Sequence, residues 1–350
     1  MVKSLTGIRF YLFLIVFLRH LDYYQGKMHF PELNTLHWIF FAMSFFFILS
    51  GFCVGLGYSD KFQSLTKENI CLFLRKRFLK LYPLYFITGL VMLVLIYLPL
   101  GSKYLSKFIF RYVTLICSWF PSAARGGNDV GWFVSALFFC YLLTPVLLHY
   151  LNSKSLKHLV VSLLMVCLMS VIMIITCGNS PKCRLYTFPL ARFCEYGYGL
   201  ILSLFYKKYL ANKTYKIRAK SLFDAIFISL IFIMVHCISF QDDWYVLHRL
   251  EYWLWTPVIG FFILYLCHRQ KSWLTNILEH KFSLFLASIS LEMYLIHYPL
   301  LRISDKYIMP HSLSALWMIG ATIFVLTFVL AYFYNRLQAR VYSFYQNKKL

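Results

Sequence analysis

Arg9 and His20 are the residues of this chain whose types and spacing are best suited to chemistry, and both lie in an apolar run over residues 8–21. Ionisable side chains are costly in a membrane-crossing segment and usually serve a function there. Eleven residues at about 100° each return to nearly the same direction, so an α-helix places both on one face, about 16 Å apart. An imidazole can accept a proton near neutral pH, and a guanidinium can bind phosphate. The alternative is an arginine that snorkels at one membrane boundary and a histidine at the other.

The elements that must position this pair are membrane-spanning helices. Of the 350 residues, 60% are hydrophobic and 14% are charged, whereas soluble domains average about 25% charged residues. Segments long enough to cross about 30 Å of hydrocarbon cover residues 8–24, 38–58, 81–100, 131–151, 159–177, 189–206, 222–240, 252–267, 282–301 and 313–334. The sequence therefore predicts an all-α polytopic membrane bundle with about ten transmembrane helices. Residues 108–120 are short for a span and favour an interfacial or re-entrant helix.

The formal net charge of +22 follows the loops and does not indicate a nucleic-acid partner. If Lys3 lies in the cytoplasm, 22 of the 35 basic residues fall in the loops and termini on that side, and 11 fall in the opposite loops. This distribution satisfies the positive-inside rule with both termini in the cytoplasm. The polar stretches are connector-sized, so we predict a single membrane domain over residues 1–350 with no separate soluble domain.

The cysteines and the N-terminal segment bear on cofactors and processing. Ten cysteines are scattered without a C-x-x-C pair, a pattern that argues against a zinc site or a disulfide scaffold. We therefore expect no metal cofactor. Arg19, His20 and Asp22 interrupt the first apolar run, so we expect the first span to be retained and not removed as a signal peptide.

The second predicted span carries small polar residues near its middle. Residues 46–52 read F-F-I-L-S-G-F, and Ser50 and Gly51 allow close approach of a neighbouring helix. A packing notch is the simpler interpretation of this motif, and a functional one is the alternative.

A cationic cluster enters the third predicted span. Residues 75–83 read R-K-R-F-L-K-L-Y-P, and Arg77 and Lys80 are three residues apart, so they share a helical face. Together with Arg75 they could bind phosphate. The alternative is an ordinary positive flank that contacts lipid head groups.

The ninth predicted span contains a polar stripe. Residues 290–299 read S-L-E-M-Y-L-I-H-Y-P, and Ser290, Tyr294 and His297 follow one helical face. Glu292 is buried in the same span and needs a partner. The inferred topology places His297 at about the depth of His20, which indicates a shared cavity. Two unrelated polar packing residues are the alternative.

These segments, in this order, resemble the acyltransferase-3 family of integral membrane O-acyltransferases over nearly the whole chain. The family opens with a segment similar to L-T-G-I-R followed by a histidine, as Arg9 and His20 do here. Its second-span, cationic and C-terminal motifs resemble residues 46–52, 75–83 and 290–299, with Lys80 replacing a final arginine. W-F-V-S-A-L-F-F-C-Y, from residue 132, is similar to its W-S-L-S-V-E-x-x-F-Y segment. The frequent glutamate of that segment aligns with Leu137, which we interpret as marking a subgroup.

The resemblance implies an enzyme that transfers an acyl group from acyl-CoA, most simply acetyl-CoA, to a hydroxyl. General-base catalysis, oxyanion stabilisation and a grip on the donor phosphates are then required. We expect His20 to be the base, and Glu292 or His297 to orient it or to hold the acceptor. Arg9, Arg75, Arg77 and Lys80 are the predicted donor-binding residues. Trp132, Ser135 and Tyr294 are the predicted acceptor-binding residues, and Trp132, Trp244 or Trp255 could stack on a sugar ring.

The resemblance further implies an acceptor of the envelope-glycan type and a location in a membrane, with a bacterial inner membrane the first expectation. The expected partners are the lipid bilayer, acyl-CoA and the glycan acceptor. A transporter or flippase for a lipid-linked glycan is the main alternative, because it also needs many spans and buried polar residues. A non-catalytic membrane scaffold is a third interpretation.

Overall fold

The chain folds into helices throughout the part that the structure describes. The computed structural model describes residues 2–28, 36–120, 126–177, 185–213, 220–239, 247–267, 271–308 and 312–347, and it has no β-strand in these ranges. The α-helices are α1 (Lys3–Met28), α2 (Leu36–Tyr58), α3 (Lys67–Met92), α4 (Lys103–Lys107), α5 (Trp132–Asn152), α6 (Leu156–Cys177), α7 (Pro189–Phe205), α8 (Lys220–Ser239), α9 (Leu247–Cys267), α10 (Trp273–Glu279), α11 (Lys281–Ser288), α12 (Ser290–Tyr307) and α13 (Leu313–Asn347). The prediction of an all-α bundle is confirmed.

Six of these helices, or helices with their continuations, are long and apolar enough to cross a membrane. They are Lys3–Asp22, Trp38–Tyr58, Lys67–Leu100, Asp129–Asn152, Leu156–Met173 and Ser314–Val341. The pair α11 and α12 makes a seventh if its two parts, bent by 63°, form one broken span. The protein is an integral membrane protein by this measure. The predicted count of about ten spans and the orientation of the termini are not confirmed by the described residues.

Three predicted spans remain, and their described residues are helical. Helix α8 exposes most of its described apolar side chains, whereas α7 and α9 are not simple lipid-facing helices. Helix α7 has 17 residues, and its Arg192 and Glu195 are buried among other helices. The apolar part of α9, Trp255–Cys267, is shorter than a full crossing. A sequence window registers apolar content, and it cannot separate a helix buried in protein from one that faces lipid.

The doubtful segment at residues 108–120 is not a continuous span. A wide helical turn at Phe108–Val113 is followed by Leu115, whose φ is +61°, and by a short turn at Cys117–Trp119. Tyr112 stacks on Tyr85 of α3 with the ring centroids 4.0 Å apart. The segment therefore packs against α3 as irregular backbone. Such backbone is tolerated at membrane depth only where it is shielded from lipid.

Close helix contact at the middle of α2 is confirmed. A Cβ added to Gly51 would lie 1.9 Å from the backbone oxygen of Tyr196, and one added to Gly199 of α7 would lie 1.9 Å from that of Ile48. Only glycine permits this approach, which is typical of helix packing in membranes. Helices α2 and α7 thereby form the centre of the bundle, whereas α6 lies at the periphery, with only 6% of its span buried.

The break between α11 and α12 sets the position of the polar stripe. Residue Ile289 ends α11 with φ −115° and ψ 7°, outside the helical region, and the chain then turns by 63° into α12. Helix α12 packs against α1, α3 and α13. Its polar residues are therefore directed into the bundle.

Candidate active site

His20 of α1 and His297 of α12 meet directly. The Nδ1 atom of His20 lies 2.8 Å from Nε2 of His297, and the two rings are stacked with their centroids 5.0 Å apart. His297 is fully buried, and its Nδ1 lies 3.3 Å from the backbone oxygen of Met293. A carbonyl oxygen only accepts, so this contact places the proton of His297 on Nδ1 and leaves its Nε2 as an acceptor. His20 then donates from Nδ1, and its own Nε2 carries a lone pair.

A cavity of about 330 Å³ opens beside His20. We call it the aromatic cavity, and its lining includes His20, Phe40, Trp132, Tyr186, Tyr294 and Tyr298. Its charged lining residues are two arginines, Arg19 and Arg302, and two aspartates, Asp129 and Asp305. Arg302 donates to Asp305 at 3.2 Å. The charges therefore balance, and most of the wall is aromatic.

A second cavity, of about 430 Å³, lies on the other side of Tyr294. We call it the basic cavity, and its polar lining includes Arg9, Ser50, Tyr58, Arg77, Lys80, Tyr141, Ser290, Glu292 and Tyr294. The structure thus brings Arg9 together with Arg77 and Lys80, as the sequence predicts, and adds Ser50 of the α2 motif. Three cations face one carboxylate, so the lining carries a net positive charge.

The two guanidinium groups of the basic cavity have few protein acceptors. Arg9 donates a hydrogen bond to the Sγ atom of Cys53 at 3.4 Å, and sulfur is a weak acceptor. The Arg77 guanidinium lies 5.1 Å from the ring centre of Tyr58 and 5.3 Å from that of Tyr141. Its Nε is buried and has no hydrogen-bond partner in the described part of the chain. Cation–π contacts orient the group and leave its donors available for an anion.

Glu292 pairs with Lys80, so its predicted role beside the histidines is not supported by the geometry. Its Oε1 accepts from Lys80 Nζ and also from Asn335 Nδ2 at 3.2 Å. Its Oε2 is buried without a partner among the described residues. Glu292 precedes His297 by five residues, about 140° around the helix, so it faces a different neighbour.

Several other predicted site residues lie away from both cavities. Arg75 is exposed, and it lines neither cavity. Ser135 is buried, donates to the backbone oxygen of Leu115 at 2.5 Å and contacts Ser118 Oγ at 2.8 Å, so it joins α5 to the irregular segment. Trp255 is fully buried against Phe41. Trp244 lies outside the described residues.

The remaining predicted residues fall on the cavity walls. Trp132 lines the aromatic cavity and Tyr294 lines both cavities. Leu137, which occupies the place of the family's frequent glutamate, lines the basic cavity and not the surroundings of His20. A carboxylate at that position would face the cations, and here Glu292 supplies one to the same cavity from α12. The partner of His20 is therefore the imidazole of His297.

A buried ion pair behind the aromatic cavity was not among the predicted site residues. Arg192 donates to Glu195 Oε2 at 2.6 Å and to the backbone oxygen of Tyr186 at 2.7 Å, while Ser44 donates to Glu195 Oε1 at 2.7 Å. The guanidinium also lies 5.0 Å from the ring centre of Tyr186 and 5.7 Å from that of Trp132. Two opposite charges three residues apart in an apolar segment were the available sequence signal.

The fold and these cavities define a polytopic membrane protein in which a cation-lined cavity and an aromatic cavity meet at Tyr294, with an imidazole pair at the aromatic one. The chain matches the family described as an acyltransferase domain over residues 2–336, and it belongs to that family. The family membership predicted from the motifs is confirmed.

Comparison with known proteins adds one relative. Acyltransferase MdmB from Streptomyces mycarofaciens is 31% identical over 162 residues, which cover 41% of this chain and 38% of that protein. The match thus spans less than half of the relative's length. No solved structure matches the chain significantly.

Proposed function

We propose that the protein transfers an acyl group, most simply acetyl, from coenzyme A in the basic cavity to a sugar hydroxyl in the aromatic cavity. Family membership supports acyl transfer as the reaction class. The observation that carries the proposal is the His20–His297 hydrogen bond of 2.8 Å at the aromatic cavity, with the three cations beyond Tyr294. The proposed base and acceptor space thus lie on one side of Tyr294, and the proposed phosphate site lies on the other.

His20 is the general base in this proposal. Its Nε2 takes the proton of the acceptor hydroxyl as the hydroxyl oxygen attacks the thioester carbonyl carbon. The carbon–sulfur bond then breaks, and the coenzyme A thiolate leaves and takes up this proton from the His20 imidazolium, which restores the base. His297 accepts from His20 Nδ1–H and stabilises the imidazolium that forms, as a carboxylate does beside the histidine of a catalytic triad.

The basic cavity suits the donor because coenzyme A carries several phosphate charges. Arg9 and Arg77 have few acceptors among the described residues, and charge-assisted hydrogen bonds to phosphate are among the strongest that proteins form. The unpartnered Oε2 of Glu292 is an acceptor for an N–H group of the pantetheine arm. Lys80, already paired with Glu292, completes the cationic wall.

The aromatic cavity suits an uncharged sugar. Trp132, Tyr186 and Tyr298 offer ring faces, and the charged lining residues are balanced in number. Sugar C–H faces pack against aromatic rings, while the polar rim binds hydroxyls. A glycan of the cell surface or one to be exported is the proposed acceptor class.

The orientation of the protein follows from the same assignment. Arg75 and Lys76 are exposed on α3, within two residues of Arg77 in the sequence, and positive charge favours the cytoplasmic side. Acyl-CoA would enter from the cytoplasm and the acceptor from the opposite side. We propose a bacterial inner membrane with both termini in the cytoplasm.

Glycan acylation in cells tests this function. Mass spectrometry of envelope glycans should detect the acyl group with the intact protein and lose it with His20→Ala, at equal protein levels in the membrane. His149→Ala is the control, because this histidine lines neither cavity and its Nδ1 lies within hydrogen-bond distance of the backbone oxygens of Phe62 and Gln63. Unchanged acylation with His20→Ala would refute the proposal, and unacylated glycan that fails to be exported would favour a transporter.

A further inference from the structure

Tyr294 is the residue at which the two cavities meet. Of the described residues that line them, it alone is common to both. On α12 it lies one turn beyond Ser290 of the basic cavity and three residues before His297. At 1.5 Å per residue, these steps are about 6 Å and about 4.5 Å along the helix axis.

The Tyr294 ring is held in place on several sides. Its hydroxyl donates to the backbone oxygen of Val130 at 3.1 Å. The ring packs edge to face on Phe133 with a centroid distance of 5.3 Å, and it lies 5.8 Å from His297. Only 4% of the residue is exposed. Displacing the ring would therefore break its hydrogen bond to Val130 and its packing on Phe133.

An acyl-CoA bound in the basic cavity would have its acyl end directed towards His20. The phosphates stay at the cations, so the acyl end must pass or displace the Tyr294 ring before the thioester comes within reach of His20. A longer acyl chain needs more space beyond the ring, on the side that the acceptor also occupies.

We propose that Tyr294 sets the acyl-chain length that this protein accepts, and that it restricts the donor to short acyl groups. This inference rests on the proposed function and deepens it by naming the donor class. Each acyl-chain methylene that is buried in an apolar site strengthens binding by about fourfold. A site too short to bury the extra methylenes therefore does not bind the longer acyl-CoA more tightly. A smaller side chain at this position would open the two cavities into one and admit the longer chain.

Acyl-CoA turnover by membrane vesicles tests the inference. Inside-out vesicles from cells that make the full chain are supplied with acetyl-CoA or hexanoyl-CoA, and release of the coenzyme A thiol is measured above that of His20→Ala vesicles. We expect the intact protein to prefer acetyl-CoA by at least about tenfold, and Tyr294→Ala or Tyr294→Leu to lower that ratio by about tenfold or more. The ratio is internal to each preparation, so a lower protein level does not change it.

Two variants control for the loss of a tyrosine. Tyr294→Phe keeps the ring and should keep the ratio within about twofold, because the ring and not the hydroxyl fills the gap. Tyr82 also donates its hydroxyl to a backbone oxygen, that of Val113 at 3.0 Å, but lines neither cavity. Tyr82→Ala should leave the ratio unchanged.

The outcomes separate this inference from the function beneath it. One contrary result is that the intact protein turns over hexanoyl-CoA as fast as acetyl-CoA, and another is that Tyr294→Ala and Tyr294→Leu both leave the ratio unchanged. Either result would show that Tyr294 does not set the acyl-chain length, and it would leave the proposed acyl transfer unaffected. If neither acyl-CoA is turned over above the His20→Ala vesicles, the proposed function is wrong and the inference falls with it.

Discussion

The two cavities on either side of Tyr294 differ in net charge and in the side chains that line them. The basic cavity has three cations against one carboxylate, whereas the aromatic cavity has two arginines against two aspartates and mostly ring faces. Under the proposed function this difference corresponds to two ligands of different chemistry, a polyanionic donor and an uncharged acceptor. Tyr294, which lines both cavities, and the His20–His297 pair at the aromatic cavity are then the residues that couple the two ligands. Variants that affect one cavity and spare the other test this division.

Substitution of His297 should lower the rate of transfer most, because His297 accepts the Nδ1–H hydrogen bond of His20 and so fixes its tautomer. His297→Ala removes the acceptor of His20 Nδ1–H, and we expect acyl transfer to fall by about a hundredfold with donor binding unchanged. His297→Gln offers an amide oxygen to the same hydrogen and should recover part of the rate. A structural role alone would not rank the two variants in this order, nor would it shift the pH profile of transfer that we expect to change with His297→Gln.

Arg9 and Arg77 should define the basic cavity. Arg9→Ala or Arg77→Ala removes charge-assisted hydrogen bonds worth about 1.5–3 kcal/mol each, which corresponds to a loss of donor affinity of about 10- to 100-fold. Calorimetric titration of the solubilised protein with coenzyme A measures it. Arg75→Ala is the matched control, since that arginine is exposed and lines neither cavity. Equal losses for all three arginines would indicate a general surface charge effect and not a site.

Trp132 should define the aromatic cavity. Trp132→Ala removes a ring face worth about 0.5–1.5 kcal/mol beyond its buried area, so we expect glycan acylation at limiting acceptor to fall about tenfold. Coenzyme A titration of the same variant should match the intact protein. Weaker coenzyme A binding would contradict the separation of the two cavities.

Glu292 should give the smallest effect. Glu292→Gln keeps the shape and one acceptor oxygen, and the lost pairing with the half-exposed Lys80 is worth at most about 1 kcal/mol. We expect the rate of transfer and the donor affinity to stay within about threefold of the intact protein. A collapse of the transfer rate with donor binding intact would restore Glu292 as a catalytic partner of the histidines.

The sequence predicted the residues of the site better than their partners. Helical periodicity placed Arg9 and His20 on one face, and topology placed His297 at the depth of His20, because both follow from the fixed geometry of a helix in a bilayer. The partner of Glu292 depends on how α12 sits against α3 and α13, which no local pattern contains. The position of Ser135 away from both cavities was not predictable for the same reason, since its acceptor belongs to the irregular segment around Leu115.

The helices were predicted more securely than their relation to the membrane. The described residues of every predicted span are helical apart from the break at Ile289, but α7 is buried by α2 and α5 and not by lipid. Apolar composition is the same in both surroundings. The Arg192–Glu195 pair was the local sign that α7 faces protein, since a charged pair in lipid is costly.

The most direct test of the two-ligand account measures coenzyme A binding and acyl transfer on the same two variants. His20→Ala should bind coenzyme A as the intact protein does and transfer no detectable acyl group to glycan. Arg77→Ala should bind coenzyme A at least about tenfold more weakly and regain transfer as the acyl-CoA concentration is raised. If His20→Ala loses coenzyme A binding, or if Arg77→Ala loses transfer at every donor concentration while binding normally, the assignment of the two cavities is wrong.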